Sequence, residues 1–318
     1  YHKFNRWQVE LADEVFKSRF EFDVIHCHNW MSWLTAKHLK QIYPNIRIVV
    51  TFHFLQKQYE LMKDNPIPTF HNEIVRIEEE AIAKADRVIV LSDSQRELLF
   101  SRYTVTNVKK IYLIPHSINF TPKKFSDLNR AKKATERIKI LFVGRIEHDK
   151  GIVELLEAFI KLEDLDNIEL HIVGDGPLLK ELKEQNKLKN VFFYGYQDRS
   201  NLEKLLSDAH IFCMPSSSEN LPLTVLEAMF FGVVPIFTSG KSVPKIYRDG
   251  VEGLTIKLRN IKGQLRPDVN DIYNALKRLI SQSDLRNQLS RNAYTLAIEK
   301  YSSEAMIGKI AQIYRLKD

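Results

Sequence analysis

IFCMPSSSENLPLTVLEAMFFGVVPIF, residues 211–237, carries the fold of this chain in one passage. Residues 211–215 and 233–237 are short apolar runs. Between them, residues 221–231 repeat apolar side chains at helical spacing and stop at Gly232. Strand, helix and strand in that order form a βαβ unit, which sets the two strands parallel in one sheet. The strands are apolar without alternation, so both faces of that sheet are expected to be covered.

The same alternation extends in both directions. Upstream, strands are expected at residues 23–27, 46–52, 87–91 and 110–115, separated by helical patterns at 30–42, 70–85 and 94–103. Nearer the opening passage they are expected at 138–143, 169–173 and 191–194, with helices at 153–161, 178–186 and 200–208. Repeated strand–helix alternation is the pattern of an α/β fold with parallel sheets. The polar, lysine-rich stretch before residue 138 reads as a linker. The amphipathic tail, residues 271–316, reads as helices lying on the outside. The expected organisation is a first domain over 1–116, a linker over 117–137, a second domain over 138–300, and a C-terminal helix over 301–318 packing back towards the first domain. The first half opens with a helix-like segment, WQVELADEVF at 7–16, and has four strand candidates against five. No early strand with a glycine-rich turn precedes it, so the first domain is expected to be cut short at its N-terminus.

A length of 318 residues suits about two domains, and 44% hydrophobic with 27% charged residues is a globular balance. No apolar run approaches the roughly 20 residues of a membrane span. Cys27 and Cys213 are too few for a disulfide framework or a zinc site, which suggests a reducing, cytoplasmic setting. The net charge of +7 leans on the first half, a bias compatible with peripheral contact to an acidic membrane surface. No basic run interleaved with aromatics argues for nucleic acid.

The chemistry gathers around three turns. FVGRIEHDKGI, residues 142–152, is a strand, a Gly-Arg turn and a Lys-Gly entry into a helix. Gly144 permits close approach of a ligand to the backbone, while Arg145 and Lys150 offer a planar fork and a point charge suited to adjacent phosphates. Two solvated surface cations are the plain alternative. Gly174, in Gly174-Asp175-Gly176-Pro177, follows a strand and lacks the third glycine of a dinucleotide fingerprint. A tight structural turn and a ligand contact both fit it. In the opening passage, Glu219 stands in the loop before the helix and Glu227 inside it, up to about 12 Å apart at the helical rise. That spacing is too long for two carboxylates sharing a proton and suits the two ends of an extended ligand. Pro222 fits a helix start, and the N–H groups of Leu223 and Thr224 would point out of it as an anion site. Glu219 as a dipole-favoured cap and Glu227 as a solvated helical side chain are the alternatives. His53, at the end of the strand at 46–52, is placed to donate to a substrate oxygen or to sit as a structural histidine. His26 and His28 with His53 have no carboxylate or cysteine completing a metal-ligand spacing, and no metal is expected.

Taken in order, these segments resemble the retaining glycosyltransferases of family 4. FDVIHCHNW is similar to that family's entry strand and helix, AKADRVIVLSDSQRELL to the segment before its linker, and IYLIPHSINF to its hinge strand. LFVGRIEHDKG is similar to its phosphate-binding turn, LHIVGDGP to the turn that follows, and SSSENLPLTVLEAMFFGVVPI to its Glu-x7-Glu signature. The resemblance implies the GT-B fold, two Rossmann-like domains facing each other across a cleft. It implies transfer of a sugar from a nucleotide diphosphate sugar to an acceptor hydroxyl, with retention of configuration, no cofactor and no metal. It puts Arg145 and Lys150 on the diphosphate, Glu227 on the ribose hydroxyls, Glu219 on the donor sugar and His53 opposite that sugar. Backbone at Gly144, Gly174, Asn220, Leu221, Leu223 and Thr224 would hold sugar or phosphate, and Tyr196, within residues 194–197, would lie near the base. The acceptor, saccharide or lipid-linked, is left open. His116-Ser117 departs from the family's usual Asn-Gly, and Asn220 stands where glycine is common. Two rivals stay in play: a glycoside hydrolase using Glu219 and Glu227 as an acid/base pair, and a non-catalytic nucleotide-sugar-binding protein.

Overall fold

A computed structural model of the chain describes residues 10–11, 14, 22–61, 69–118, 120, 124–128, 137–162, 164–219, 221–240, 245–261 and 263–315. Most of the helix-like segment 7–16 and much of the stretch 117–137 lie outside them. The chain divides into two compact units, Tyr1–Pro115 with Ile307–Asp318, and His116–Met306.

In the first unit, β1 (Val24–His28), β2 (Arg47–Phe52), β3 (Arg87–Val90) and β4 (Ile111–Leu113) form a parallel sheet in that spatial order. Helices α1 (Trp33–Ile42), α2 (His71–Lys84) and α3 (Asp93–Arg102) supply the crossovers that parallel strands require. Helix α3 begins where Ser92 accepts a hydrogen bond from Gln95 N at 3.2 Å, a side-chain cap that satisfies one orphan amide. Trp33, Phe52, Leu55, Ile82 and Leu99 close the core, each of them buried. Each such side chain withdrawn from water contributes about 1.5–3 kcal/mol. Beneath the loop that follows β2, buried Glu78 accepts from Gln56 N at 3.0 Å and from the Tyr103 hydroxyl at 2.5 Å.

In the second unit, β5 (Ile138–Val143), β6 (Ile168–Val173), β7 (Val191–Gly195), β8 (Ile211–Met214), β9 (Val234–Ser239), β10 (Leu254–Ile261) and β11 (Gln264–Pro267) form one seven-stranded sheet. Its order is β11-β10-β9-β8-β5-β6-β7, parallel except for the β10–β11 hairpin. From β5 the chain winds outward through β6 and β7. It then returns to lay β8 on the other side of β5 and winds the opposite way. The strand order therefore reverses between β5 and β8, and the crevice beyond their carboxyl ends is where open α/β sheets bind ligands.

Helices α4 (Ile152–Ile160), α5 (Leu179–Gln185), α6 (Arg199–Asp208) and α7 (Leu223–Phe230) connect the strands, followed by α8 (Val269–Ser281) and α9 (Ser283–Tyr301). The last, α10 (Ser303–Arg315), ends among residues that group with the first unit. Strands β5, β6, β8 and β9 are almost wholly buried, as their unbroken apolar runs predict.

Strands β10 and β11 correct the sequence reading, which expected five strands in this half. Leu254 and Ile256 are buried while Lys257 and residues 259–261 face solvent, so β10 is apolar at one end only. It lacks the continuous run that marked its neighbours. No helix among the described residues is long and apolar enough to cross a membrane.

Candidate functional site

The switch point of the second sheet opens into a cavity of about 580 Å³. The turns after β5 and β6 form its floor. Gly144 N donates to Val173 O at 3.1 Å and Ile146 N to Asp175 O at 2.9 Å, which draws the two turns together, while Gly174 N donates to Gly195 O at the end of β7 at 2.8 Å. Only glycine fits at 174: its φ is +134°, and a Cβ there would stand 1.8 Å from Gly144 O. Gly144, Gly174, Arg145, Tyr196 and Glu227 all line the cavity. These five sequence-predicted residues come from four separate segments. Tyr196 is 80% exposed, so its ring face is open to a planar ligand.

Glu227 sits inside α7 with its carboxyl at the cavity wall. Burial pushes that carboxyl up to about 7, against the pull of the Arg199 guanidinium, which lowers it. Arg199, at the start of α6, lies over the Phe120 ring at 4.3 Å, and both side chains line the cavity. Sequence reading missed both. Asp198 caps α6 by accepting from Asn201 N at 2.8 Å, so a helix start at this point was legible. That it opens onto Glu227 follows only from the strand order.

Lys150 and Glu219 are held together beside the cavity. The loop after β8 is stitched to the turn after β5, since Ser217 N donates to Asp149 O at 2.8 Å and the Ser216 hydroxyl to the same oxygen at 3.1 Å. Gly151 closes the approach with φ +68°, where a Cβ would meet Pro215 O at 2.2 Å. The stitching sets Lys150 Nζ 2.8 Å from Glu219 Oε1, with both side chains mostly buried, and 3.4 Å from Asp149 Oδ2. Arg145 is the more open cation, with Nη1 3.1 Å from Glu147 and Nη2 3.7 Å from Asp149. An anionic ligand meeting these cations would exchange with carboxylates already paired to them.

Helix α7 starts after Pro222, which caps it with no side-chain bond, so Glu219 does not serve as its cap. Val225 N and Leu226 N turn back to Pro222 O. Helix geometry directs the Leu223 and Thr224 amides out of that end. Leu221 packs partly buried against the core, and Asn220 lies outside the described residues. The two glutamates are thus divided. Glu227 lines the cavity with Arg199, whereas Glu219 is bound to Lys150 and is not among the lining residues. A second cavity, about 410 Å³ and bordered by Lys245, Tyr247 and Arg248, holds none of the predicted residues, and Arg248 is tied to Glu252 at 3.0 Å.

His53 belongs to the first unit, at the end of β2. Its Nε2 lies 2.8 Å from His28 Nδ1, and its backbone N donates to Asn29 Oδ1 at 2.7 Å. His26 Nε2 lies 2.7 Å from Thr51 Oγ1, and its Nδ1 lies 2.6 Å from the Tyr314 hydroxyl. Burial first, then His28 and His53, bring His26 down to about 4. Among the described residues no cluster of three or more His, Cys, Asp or Glu side chains is set to hold a metal ion.

A family model described as Glycosyl transferases group 1 matches residues 124–296, and one described as Glycosyltransferase Family 4 matches residues 3–121. An uncharacterized glycosyltransferase of Methanocaldococcus jannaschii is 27% identical, over 98% of this chain and 81% of its own length. The sucrose-phosphate synthase of Thermosynechococcus elongatus superposes with a TM-score of 0.74 at 22% identity, covering 99% of this chain and 79% of that one. The Anabaena protein HepE, solved in complex with UDP, superposes with a TM-score of 0.73 at 16% identity, over 95% of this chain and 81% of its own. These superpositions show the GT-B fold.

Proposed function

Since this chain belongs to the glycosyl transferases group 1 family, whose model spans residues 124–296, we propose that it moves a sugar from a nucleotide diphosphate sugar to an acceptor hydroxyl with retention of configuration. The observation that carries this reading is the cavity at the β5–β8 switch point. There a close-approach backbone, a guanidinium, an open tyrosine ring and a carboxylate converge on a space suited to a nucleotide.

In this reading Glu227 accepts from the ribose hydroxyls and Tyr196 lies along the base. Arg145, Lys150 and the start of α7 take the diphosphate. As the anomeric carbon–oxygen bond breaks, its electron pair leaves on the diphosphate, and these fixed positive groups stabilise the charge that develops. The acceptor oxygen then bonds to the anomeric carbon on the face the diphosphate left, and the hydroxyl proton passes to the departing diphosphate oxygen. Glu219 serves the donor sugar, and His53 acts on that sugar as hydrogen-bond donor. The counter-charge comes from the protein, so the reading calls for no cofactor and no added metal. The UDP in the HepE structure supports a nucleoside diphosphate as leaving group.

The test is a panel of UDP-, GDP- and ADP-sugars followed by proton NMR without acceptor. Slow transfer to water is expected to release free sugar first in the donor's own anomeric form. First release of the opposite anomer would overturn retention, and cleavage of unactivated glycosides without nucleotide would favour a hydrolase.

A further inference from the structure

We infer that His28 is a positioning residue for His53, holding its ring and fixing which ring nitrogen carries the proton. The inference rests on the assignment of His53 to the sugar step. In the parallel register of β1 and β2, His28 stands opposite Thr51, so the ends of the two strands lie side by side. The turn after β1 then clamps the turn after β2. Asn29, at φ 58°, donates its backbone N to Thr51 O at 2.8 Å and accepts from His53 N at 2.7 Å.

Ring contact adds to this clamp. His28 Nδ1 lies 2.8 Å from His53 Nε2, with ring centroids 5.0 Å apart and planes 26° from parallel. His26 stacks on His28 in turn at 4.7 Å. His28 is itself anchored, since its N donates to Ser32 Oγ at 2.8 Å and that hydroxyl donates back to His28 O at 3.0 Å. His26 is fixed between Thr51 and Tyr314.

A bond between two neutral imidazole nitrogens holds one proton, so one ring donates and the other accepts. The tautomers of His28 and His53 are therefore coupled: either both rings carry the proton on Nδ1 or both carry it on Nε2. Burial lowers the pKa of His28, which favours its neutral imidazole. The tautomer of a histidine is decided by the partner of its other nitrogen.

The test is carried out on the full chain. Long-range proton–nitrogen NMR at pH 7.5 should show His53 in one tautomer in the parent protein, and a tautomer mixture in His28→Ala. With the nucleotide sugar chosen by thermal shift, His28→Ala should lower kcat about 10–100-fold and leave the donor KM within about twofold. His28→Asn, which puts an amide near the Nδ1 position, should restore most of the rate, and His28→Phe should not. The double variant with His53→Ala should be no slower than His53→Ala alone, since groups acting as one unit are not additive. If His53→Ala slows turnover while His28→Ala leaves rate and tautomer unchanged, or adds independently, the positioning role fails and the reading of His53 stands. If His53→Ala is without effect, that reading fails and takes the inference with it. Failure of His28→Asn to restore rate in a protein that melts like the parent would also overturn the inference.

Discussion

Glu227 pairs a functional assignment with a cost in stability. Its carboxyl is raised from 4.5 to about 7 by burial, so the folded protein binds more protons than the unfolded chain between those values. Stability contributed by this group therefore falls as pH rises through that window and stays reduced above it. Replacing it by Gln should raise stability at pH 8 by about 1–3 kcal/mol, seen as a higher melting temperature with a flatter pH dependence than the parent. Glu78 of the first unit is raised in the same direction, so the difference between parent and variant carries the information. Donor affinity should move the opposite way to stability. A carboxylate accepts two ribose hydroxyls better than a carboxylic acid does, so binding should tighten from pH 6 to pH 8 and lose that slope in Glu227→Gln. Lys150→Ala should lower turnover about 100–1,000-fold, the scale of removing one fixed group that stabilises developing charge. Steady-state kinetics would check it, and unchanged turnover would remove Lys150 from the site. Residue types and spacing made both side chains legible in the sequence. The Lys150–Glu219 contact was not, because it depends on two loops meeting across the switch point, and the Arg199–Phe120 neighbourhood was not, because it joins a residue before β5 to the start of the helix after β7.

At the scale of elements, two glycine turns decide whether the cavity forms. Gly174→Ala forces φ +134° on an L-residue and drives a methyl into Gly144 O. The cost should be at least about 2–3 kcal/mol, read as a melting point lower by about 5–10 °C. Gly195→Ala is the comparison, with a positive φ of 68° and open space around its Cβ, and should cost far less. Equal melting points for the two variants would contradict the close approach of the β5 and β6 turns. Most strands of the second sheet were legible because burial on both faces demands continuous apolar residues. Strands β10 and β11 escaped because an edge hairpin needs that pattern over only part of its length.

The whole molecule carries the reading in its division into two units. Every residue lining the 580 Å³ cavity falls within His116–Met306, which has its own core from Ile118 to Tyr301. That unit expressed alone should therefore melt cooperatively and bind nucleoside diphosphate while catalysing no transfer. The turns that line this cavity were legible because each is a short run of residues local in sequence. The histidine column of the first unit was legible only as its separate members, since it depends on strand register and on Tyr314, 288 positions beyond His26. The most direct test of the central claim is titration calorimetry of the full chain with UDP, GDP and ADP, repeated on Arg145→Ala and Lys150→Ala. The account predicts one site for at least one of these nucleotides, weakened about tenfold or more in each variant, as loss of a charged contact to phosphate should cost at least about 1.5 kcal/mol. Binding that is absent for all three nucleotides, or undiminished in both variants, would contradict it.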